Sequence, residues 1–329
     1  MVDASRALFE RLPRLADLVP FVPLADGLPT AIEQVDHRLW VKRDDRTSSI
    51  YGGNKVRKLE FLLPIAQRRR GPVVTAGGIG SHHVLAAAVY AAELGLEVDA
   101  VQFPQPLTDD VHETMSALGA LDNVRVTPVP HRYLMPAALA RRMAALAPRR
   151  PLLLWPGAST PLGTLGYVGA GVELVDAIAS GGLPRPDVVV VPLGSGGTAV
   201  GVALGLALAG WGDTTVLAVR AADRTATNGR VLGALEAGTA ALLAIGGARP
   251  RRTRVEIDGR WFGGVYGKPT PAGDRAMAIA ADMDIALEPT YTAKAFAAAL
   301  DRMEHGERVL FVQTFSAKQS PVPMAAPRP

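Results

Sequence analysis

Strand-length runs of branched apolar residues alternate with helix-length segments from about residue 38 onward, and this alternation constrains the fold more than any other feature. The run Val188-Val189-Val190-Val191 is apolar at every position. A strand of that kind needs cover on both faces, which is the condition of a parallel sheet between helical layers. The pattern predicts strands at 38–41, 72–75, 98–102, 124–128, 152–154, 187–192, 216–220 and 308–312. It predicts helices at 55–69, 82–94, 108–118, 136–146, 164–179, 198–209, 225–244, 271–283 and 292–305. Right-handed crossovers then give an α/β chain of two doubly wound domains with parallel sheets. Several strand–helix units separate residue 55 from the strand at 187. We therefore expect a small domain, 51–159, nested in a large one, 1–50 and 160–315, with a ligand crevice at the carboxyl ends of the strands. The proline-bearing tail, 316–329, is expected to be flexible.

Composition narrows the chemistry. At 329 residues and 48% hydrophobic content the chain suits one large or two medium domains. Cysteine is absent, which removes disulfides, thiol nucleophiles and Cys-based zinc sites. The net charge is +4, and the arginines are scattered without interleaved aromatics, a solvated surface and not a nucleic-acid face. No basic start with an apolar core opens the chain, and 193–210 is broken by glycines. We expect no membrane-spanning run and a cytoplasmic location.

Three segments carry chemistry. Residues 52–60 read Gly52-Gly53-Asn54-Lys55-Val56-Arg57-Lys58-Leu59-Glu60. The glycines permit positive φ or close approach of a ligand. Asn54 is placed to cap a helix, which puts Lys55 in its first turn, where the positive helix end and burial lower an amine pKa and leave a nucleophile. Residues 75–83, Thr75-Ala76-Gly77-Gly78-Ile79-Gly80-Ser81-His82-His83, leave a strand and open a helix. That turn suits a carboxylate, with Ser81 either capping the helix or acting on a substrate. His82 and His83 diverge on a helix, so they make no metal pair. Residues 188–198 run from a strand through Leu193-Gly194-Ser195-Gly196-Gly197-Thr198. This is a phosphate cup without the Gly-Lys-Ser/Thr of a Walker loop, and it also fits a loose dinucleotide turn. One ligand accounts for all three: pyridoxal 5′-phosphate (PLP) needs an amine for its aldehyde, a cup for its phosphate and a partner for its ring nitrogen, and its amino-acid substrate needs a carboxylate site. An NADP-linked reductase using Gly194 and Arg220 is the competing reading, and it leaves Lys55 unexplained.

These segments resemble the D-cysteine desulfhydrase and 1-aminocyclopropane-1-carboxylate (ACC) deaminase family, within the tryptophan synthase β-like, fold type II PLP enzymes. The resemblance extends through 156–163 with Gly166 and Tyr167, through Tyr266, Gly267, Pro269 and Thr270, through 287–294, and to 309–314. It implies an α/β PLP-enzyme fold, a homodimer, and a lyase or deaminase of amino-acid metabolism acting on a small amino acid. By that resemblance Lys55 would hold PLP as a Schiff base and shuttle a proton at Cα. Asn54 would seat the cofactor, Gly194, Ser195, Gly196, Gly197 and Thr198 would bind its phosphate, and Thr314 would meet its ring nitrogen. Gly80, Ser81, His82, His83 and Tyr291 would hold the substrate, with Tyr266 or Tyr291 aiding proton transfer. Members of the ACC deaminase type carry Glu after the pocket tyrosine, whereas this chain has Thr292, so it leans to β-elimination with release of a 2-oxo acid. Two positions depart from the family: His82 stands where Asn is usual, and Phe315 and Ser316 stand where glycines are usual. His82 is thereby a candidate extra acid or base. ACC-type ring opening, β-replacement in a biosynthetic pathway, and a degenerate binding or assembly protein are the alternatives.

Overall fold

The structure is a computed structural model and describes residues 4–225, 227–250 and 253–317. In chain order the strands are β1 (Ile32–Asp36), β2 (Leu39–Lys42), β3 (Val73–Gly78), β4 (Val98–Phe103), β5 (Val124–Pro128), β6 (Leu152–Leu153), β7 (Val188–Leu193), β8 (Thr215–Arg220), β9 (Val255–Asp258) and β10 (Val309–Val312). The helices are α1 (Ala4–Arg11), α2 (Pro13–Leu18), α3 (Val56–Arg69), α4 (His82–Glu93), α5 (Asp109–Gly119), α6 (Met135–Ala145), α7 (Pro161–Gly181), α8 (Gly197–Leu208), α9 (Gly229–Ile245), α10 (Pro271–Ala281) and α11 (Thr292–Glu304).

Two sheets form, with strand orders β1-β2-β10-β7-β8-β9 and β5-β4-β3-β6. All pairings are parallel except β1 with β2. In the second sheet the order turns back between β3 and β6, and in the first between β7 and β10. At those two places loops diverge above the carboxyl ends of neighbouring strands and leave a crevice.

Every residue of β7 is buried, as is every residue of β10 and β2, so the branched apolar runs lie at the centre of the larger sheet. Leu165, Val168, Val200 and Leu204 cover one face, and Phe296, Ala276 and Ile285 cover the other. A separate core of α3, α4 and the second sheet centres on Leu59, Leu63, Val84 and Tyr90. One expectation is corrected here. α7 is 21 residues long and, by length and composition alone, apolar enough to cross a bilayer, whereas no such run was expected. Most of it is buried inside the protein, as the central helix of a layered α/β fold must be.

A buried charge network fixes the start of α3. Arg57 donates to Asp44 at 2.9 Å and to Glu173 at 3.0 Å, Lys42 pairs with Glu173, and the Tyr167 hydroxyl donates to Asp44 at 2.8 Å. Burial opposes ionisation of both carboxyls, but Arg57 and Lys42 outweigh it and hold both below the usual range. The network ties β2, α3 and α7 together two residues beyond Lys55.

Candidate active site

The loop before α3 is clamped on two sides. The Gly53 amide donates to the Asp44 carbonyl at 2.9 Å, and the Asn54 amide to the Thr314 carbonyl at 3.0 Å. Gly53 has φ +86°, and a Cβ there would lie 2.7 Å from the Thr314 oxygen. The glycine therefore serves a close approach between backbone segments, not between backbone and ligand. Lys55 itself is the N-cap of α3, and Asn54 does not cap it. The Asn54 amide is used instead as a bridge: its Nδ2 donates to Thr198 Oγ1 at 3.1 Å and its Oδ1 accepts from Lys55 Nζ. Desolvation of the amine lowers the Lys55 pKa to about 8, and the attraction of Glu288 only partly opposes this.

Lys55 opens on a cavity of about 650 Å³. Loops at the carboxyl ends of β3, β6, β7, β8 and β10 line it, so it lies above both switch points. At the β7 end the turn Gly194–Thr198 forms one wall. Ser195 Oγ lies 2.7 Å from Ser159 Oγ, which accepts the Gly197 amide at 3.1 Å. A Cβ on Gly197 would lie 2.6 Å from Ser159 Oγ and 3.1 Å from Lys58 Nζ, so only glycine leaves this cup open. Lys58 is 2% exposed and donates to the Gly157 carbonyl and Ser159 Oγ, each at 3.3 Å. Burial, reinforced by Lys55, drives its pKa well down. An amine held by neutral oxygens beside three hydroxyls and a helix N-terminus is a set of donors that an anion completes, its charge favouring the protonated amine. Thr314 lines the wall at the β10 end.

At the β3 end Ser81 caps α4, its Oγ accepting the Val84 amide at 3.4 Å. Gly80 sits in the same turn, buried against Val111, and does not line the cavity. His83 is buried, and its Nε2 meets Thr75 Oγ1 at 2.9 Å. Thr75 spends its own hydrogen on the Leu154 carbonyl, so His83 Nε2 is the donor and Nδ1 an acceptor. That Nδ1 is buried with no hydrogen-bond partner among the described residues. Burial, then Lys55 and Lys58, drives the His83 pKa well down, which keeps the ring neutral. His82 instead bonds Tyr51 and Asp110 and stacks edge-on against Phe315 at 4.9 Å. The Tyr291 hydroxyl donates to Tyr266 at 3.1 Å, and burial raises both phenols' pKa values. Glu288 closes this side, accepting the amides of Thr290, Tyr291 and Thr292 at 2.7–3.1 Å. Burial raises its pKa.

Lys58, Ser159, Glu288, Tyr51 and Asp110 were given no role by the sequence. The first three lie inside motifs already quoted, so a spacing argument had access to them. Tyr51 adjoins the Gly52-Gly53 pair, and Asp110 is brought in only by the fold. Arg220, the competing dinucleotide contact, is buried with its guanidinium on the Thr227 carbonyl at 2.7 Å.

PLP fits this donor set: the depressed Lys55 amine, an open cup holding the Lys58 amine, and an orphaned imidazole acceptor face one cavity. Comparisons agree. Residues 22–314 match the family described as pyridoxal-phosphate dependent enzyme. A D-cysteine desulfhydrase of Salmonella typhi is 32% identical, with 93% of this chain and 95% of the relative covered. A nocardicin C-9′ epimerase of Nocardia uniformis subsp. tsuyamanensis is 35% identical, covering 84% of this chain and 86% of the relative. The crystal structure of an ACC deaminase homologue superposes with a TM-score of 0.74 at 28% identity, covering 93% of this chain and 94% of that one. With the donor set and the matched length in agreement, the chain belongs to the pyridoxal-phosphate-dependent enzymes, as a homologue of D-cysteine desulfhydrase and ACC deaminase.

Proposed function

We propose that the protein is a D-cysteine desulfhydrase-like lyase that eliminates a β-substituent from a small amino acid and releases a 2-oxo acid. The observation that carries this reading is Lys55: an amine lowered to about 8 by desolvation, in one cavity with a glycine cup and the buried Lys58. Bound PLP supplies a sink for the charge left when Cα loses its proton. Lys55 would hold the cofactor's aldehyde carbon, and its amine is placed to take the proton at the substrate Cα. Gly194, Ser195, Gly196, Gly197 and Thr198, with Lys58 and Ser159, hold the phosphate. Asn54 keeps Lys55 aimed, and Thr314 meets the ring nitrogen. Ser81, His83 and Tyr291 hold the substrate, with Tyr266 bonded to Tyr291 to exclude water and carry a proton. The neutral hydroxyl of Thr314 does not enforce a charged ring, which suits a reaction that expels its leaving group promptly.

The same reading takes 51–159 as a small domain within a large one, the chain as a cytoplasmic homodimer, and its partner as a small amino acid, with neither nucleic acid nor membrane. Purified enzyme incubated with D-cysteine is expected to release pyruvate and sulfide, and Lys55→Ala to release neither. Wild-type protein that binds PLP yet forms no 2-oxo acid from D-cysteine or β-chloro-D-alanine would overturn the elimination reading. One observation favours a second reading, inversion at Cα: the 35%-identical relative is named an epimerase. Chiral chromatography of recovered substrate separates the two.

A further inference from the structure

His82 is held from both sides. Its Nε2 lies 3.0 and 3.1 Å from the two oxygens of Asp110, in the first turn of α5, and its Nδ1 lies 2.7 Å from Tyr51 Oη. A carboxylate only accepts, so Nε2 carries the hydrogen, Nδ1 is the acceptor, and Tyr51 is the donor. Phe315 packs edge-on against the ring at 4.9 Å and restrains it. Both imidazole nitrogens are thus engaged within the protein. Tyr51 lines the same cavity as Lys55, and its backbone is anchored by the Tyr90 hydroxyl on its carbonyl at 2.6 Å.

We propose that Tyr51, His82 and Asp110 form a proton relay in which Tyr51 is the group presented to the bound substrate, while His82 and Asp110 position and recharge it. This inference rests on the lyase-type reading of the cavity for its substrate, but not for its geometry. The step balances without another reactant. As a substrate proton reaches Tyr51 Oη, the phenol's own hydrogen passes to His82 Nδ1. The substrate–hydrogen and Tyr51 O–H bonds break, a new O–H and an Nδ1–H bond form, and the imidazolium rests against Asp110. The reverse transfer returns the proton to substrate or leaving group. Burial, with Asp110 and Glu288, pushes the Tyr51 phenol well up, so it does not ionise alone and the two transfers are coupled. Tyr51 thereby adds an acid–base group independent of Lys55, and His82 becomes a positioning residue.

Two measurements test this. In cofactor-free protein labelled with 15N-histidine, His82 is expected to be protonated at Nε2 and bare at Nδ1, with the Nδ1 resonance moving in Tyr51→Phe. A proton on Nδ1, or no movement, overturns the relay. In the PLP-loaded enzyme with D-cysteine, Tyr51→Phe is expected to lose about 100-fold in kcat with KM little changed, within the usual range for a general acid–base group. The double variant with His82→Asn should be no worse than Tyr51→Phe alone, because the residues act as a unit. Wild-type kcat in Tyr51→Phe, or additive losses, overturns it. If wild type forms no pyruvate but the NMR pattern holds, the elimination reading falls and the relay stands.

Discussion

Replacing Lys55 by Met in cofactor-free protein isolates the energetic cost of the amine on which the site depends. A shift from 10.5 to about 8 corresponds to about 3 kcal/mol, at about 1.4 kcal/mol for each tenfold change. The sign follows from proton uptake. Below pH 8 the folded and unfolded chains both carry the proton, and the folded state bears the full penalty. Between pH 8 and 10.5 the unfolded chain binds more protons than the folded one, so stability climbs with pH until the penalty is gone. Lys55→Met carries no such penalty at any pH. Its stability advantage over wild type should therefore be about 3 kcal/mol larger at pH 7 than at pH 10.5, because other titrating groups cancel between the two proteins. Urea unfolding of both proteins across this range reads the difference directly. The same shift explains the function: at pH 7 a lysine with pKa about 8 is neutral in about one molecule in ten, against about one in 3,000 at the ordinary value. A gap that stays flat from pH 7 to 10.5 would refute the reasoning, because the amine would then be solvated and unperturbed.

Other perturbations have equally definite outcomes. Glu173→Gln removes the carboxylate shared by Lys42 and Arg57, and breaking such a buried network is expected to lower unfolding stability by about 3–5 kcal/mol in urea melts. Gly53→Ala forces a side chain onto the Thr314 carbonyl at positive φ. It is expected to destabilise the protein by about 1–3 kcal/mol and to weaken PLP retention on dialysis, since the Lys55 loop loses its seat. Lys58→Met removes a donor that a bound phosphate would charge, and should weaken PLP binding about 10- to 150-fold in equilibrium titration, while Lys55 is still tagged on borohydride reduction.

The central sheet was legible because β7 and β10 are buried on both faces, so their apolar runs are unbroken. β1 and β9 were not, because edge strands mix exposed and buried positions: Ile32-Glu33-Gln34-Val35-Asp36 carries no clean alternation. The helices α1 and α2 were missed too; both are short, and Leu8, Leu12 and Leu15 become core residues only when α7 lies against them. The glycine cup, the Ser81 cap and Lys55 were visible because each rests on local backbone chemistry. Asn54 was misassigned as a cap because nothing local reports that Thr198, 144 residues away, claims its amide. Asp110 was out of reach for the same reason: its partner His82 lies across a βα unit. Of the tail expected to be flexible, Ser316 is buried with its hydroxyl on the Gly52 amide, and Ala317 bonds the Asp45 carbonyl. Residues 318–329 lie outside those described.

Among the described residues four lysines are buried or partly buried: Lys42 is ion-paired, Lys58 sits on the cup, Lys294 donates to the Phe262 carbonyl, and of these Lys55 joins a lowered pKa to an aim set by Asn54. Borohydride reduction of the PLP-loaded protein followed by peptide mass spectrometry distinguishes them. The account predicts a pyridoxyl tag on Lys55 and loss of the visible absorption; a tag on Lys58 or Lys294, or none, would contradict it.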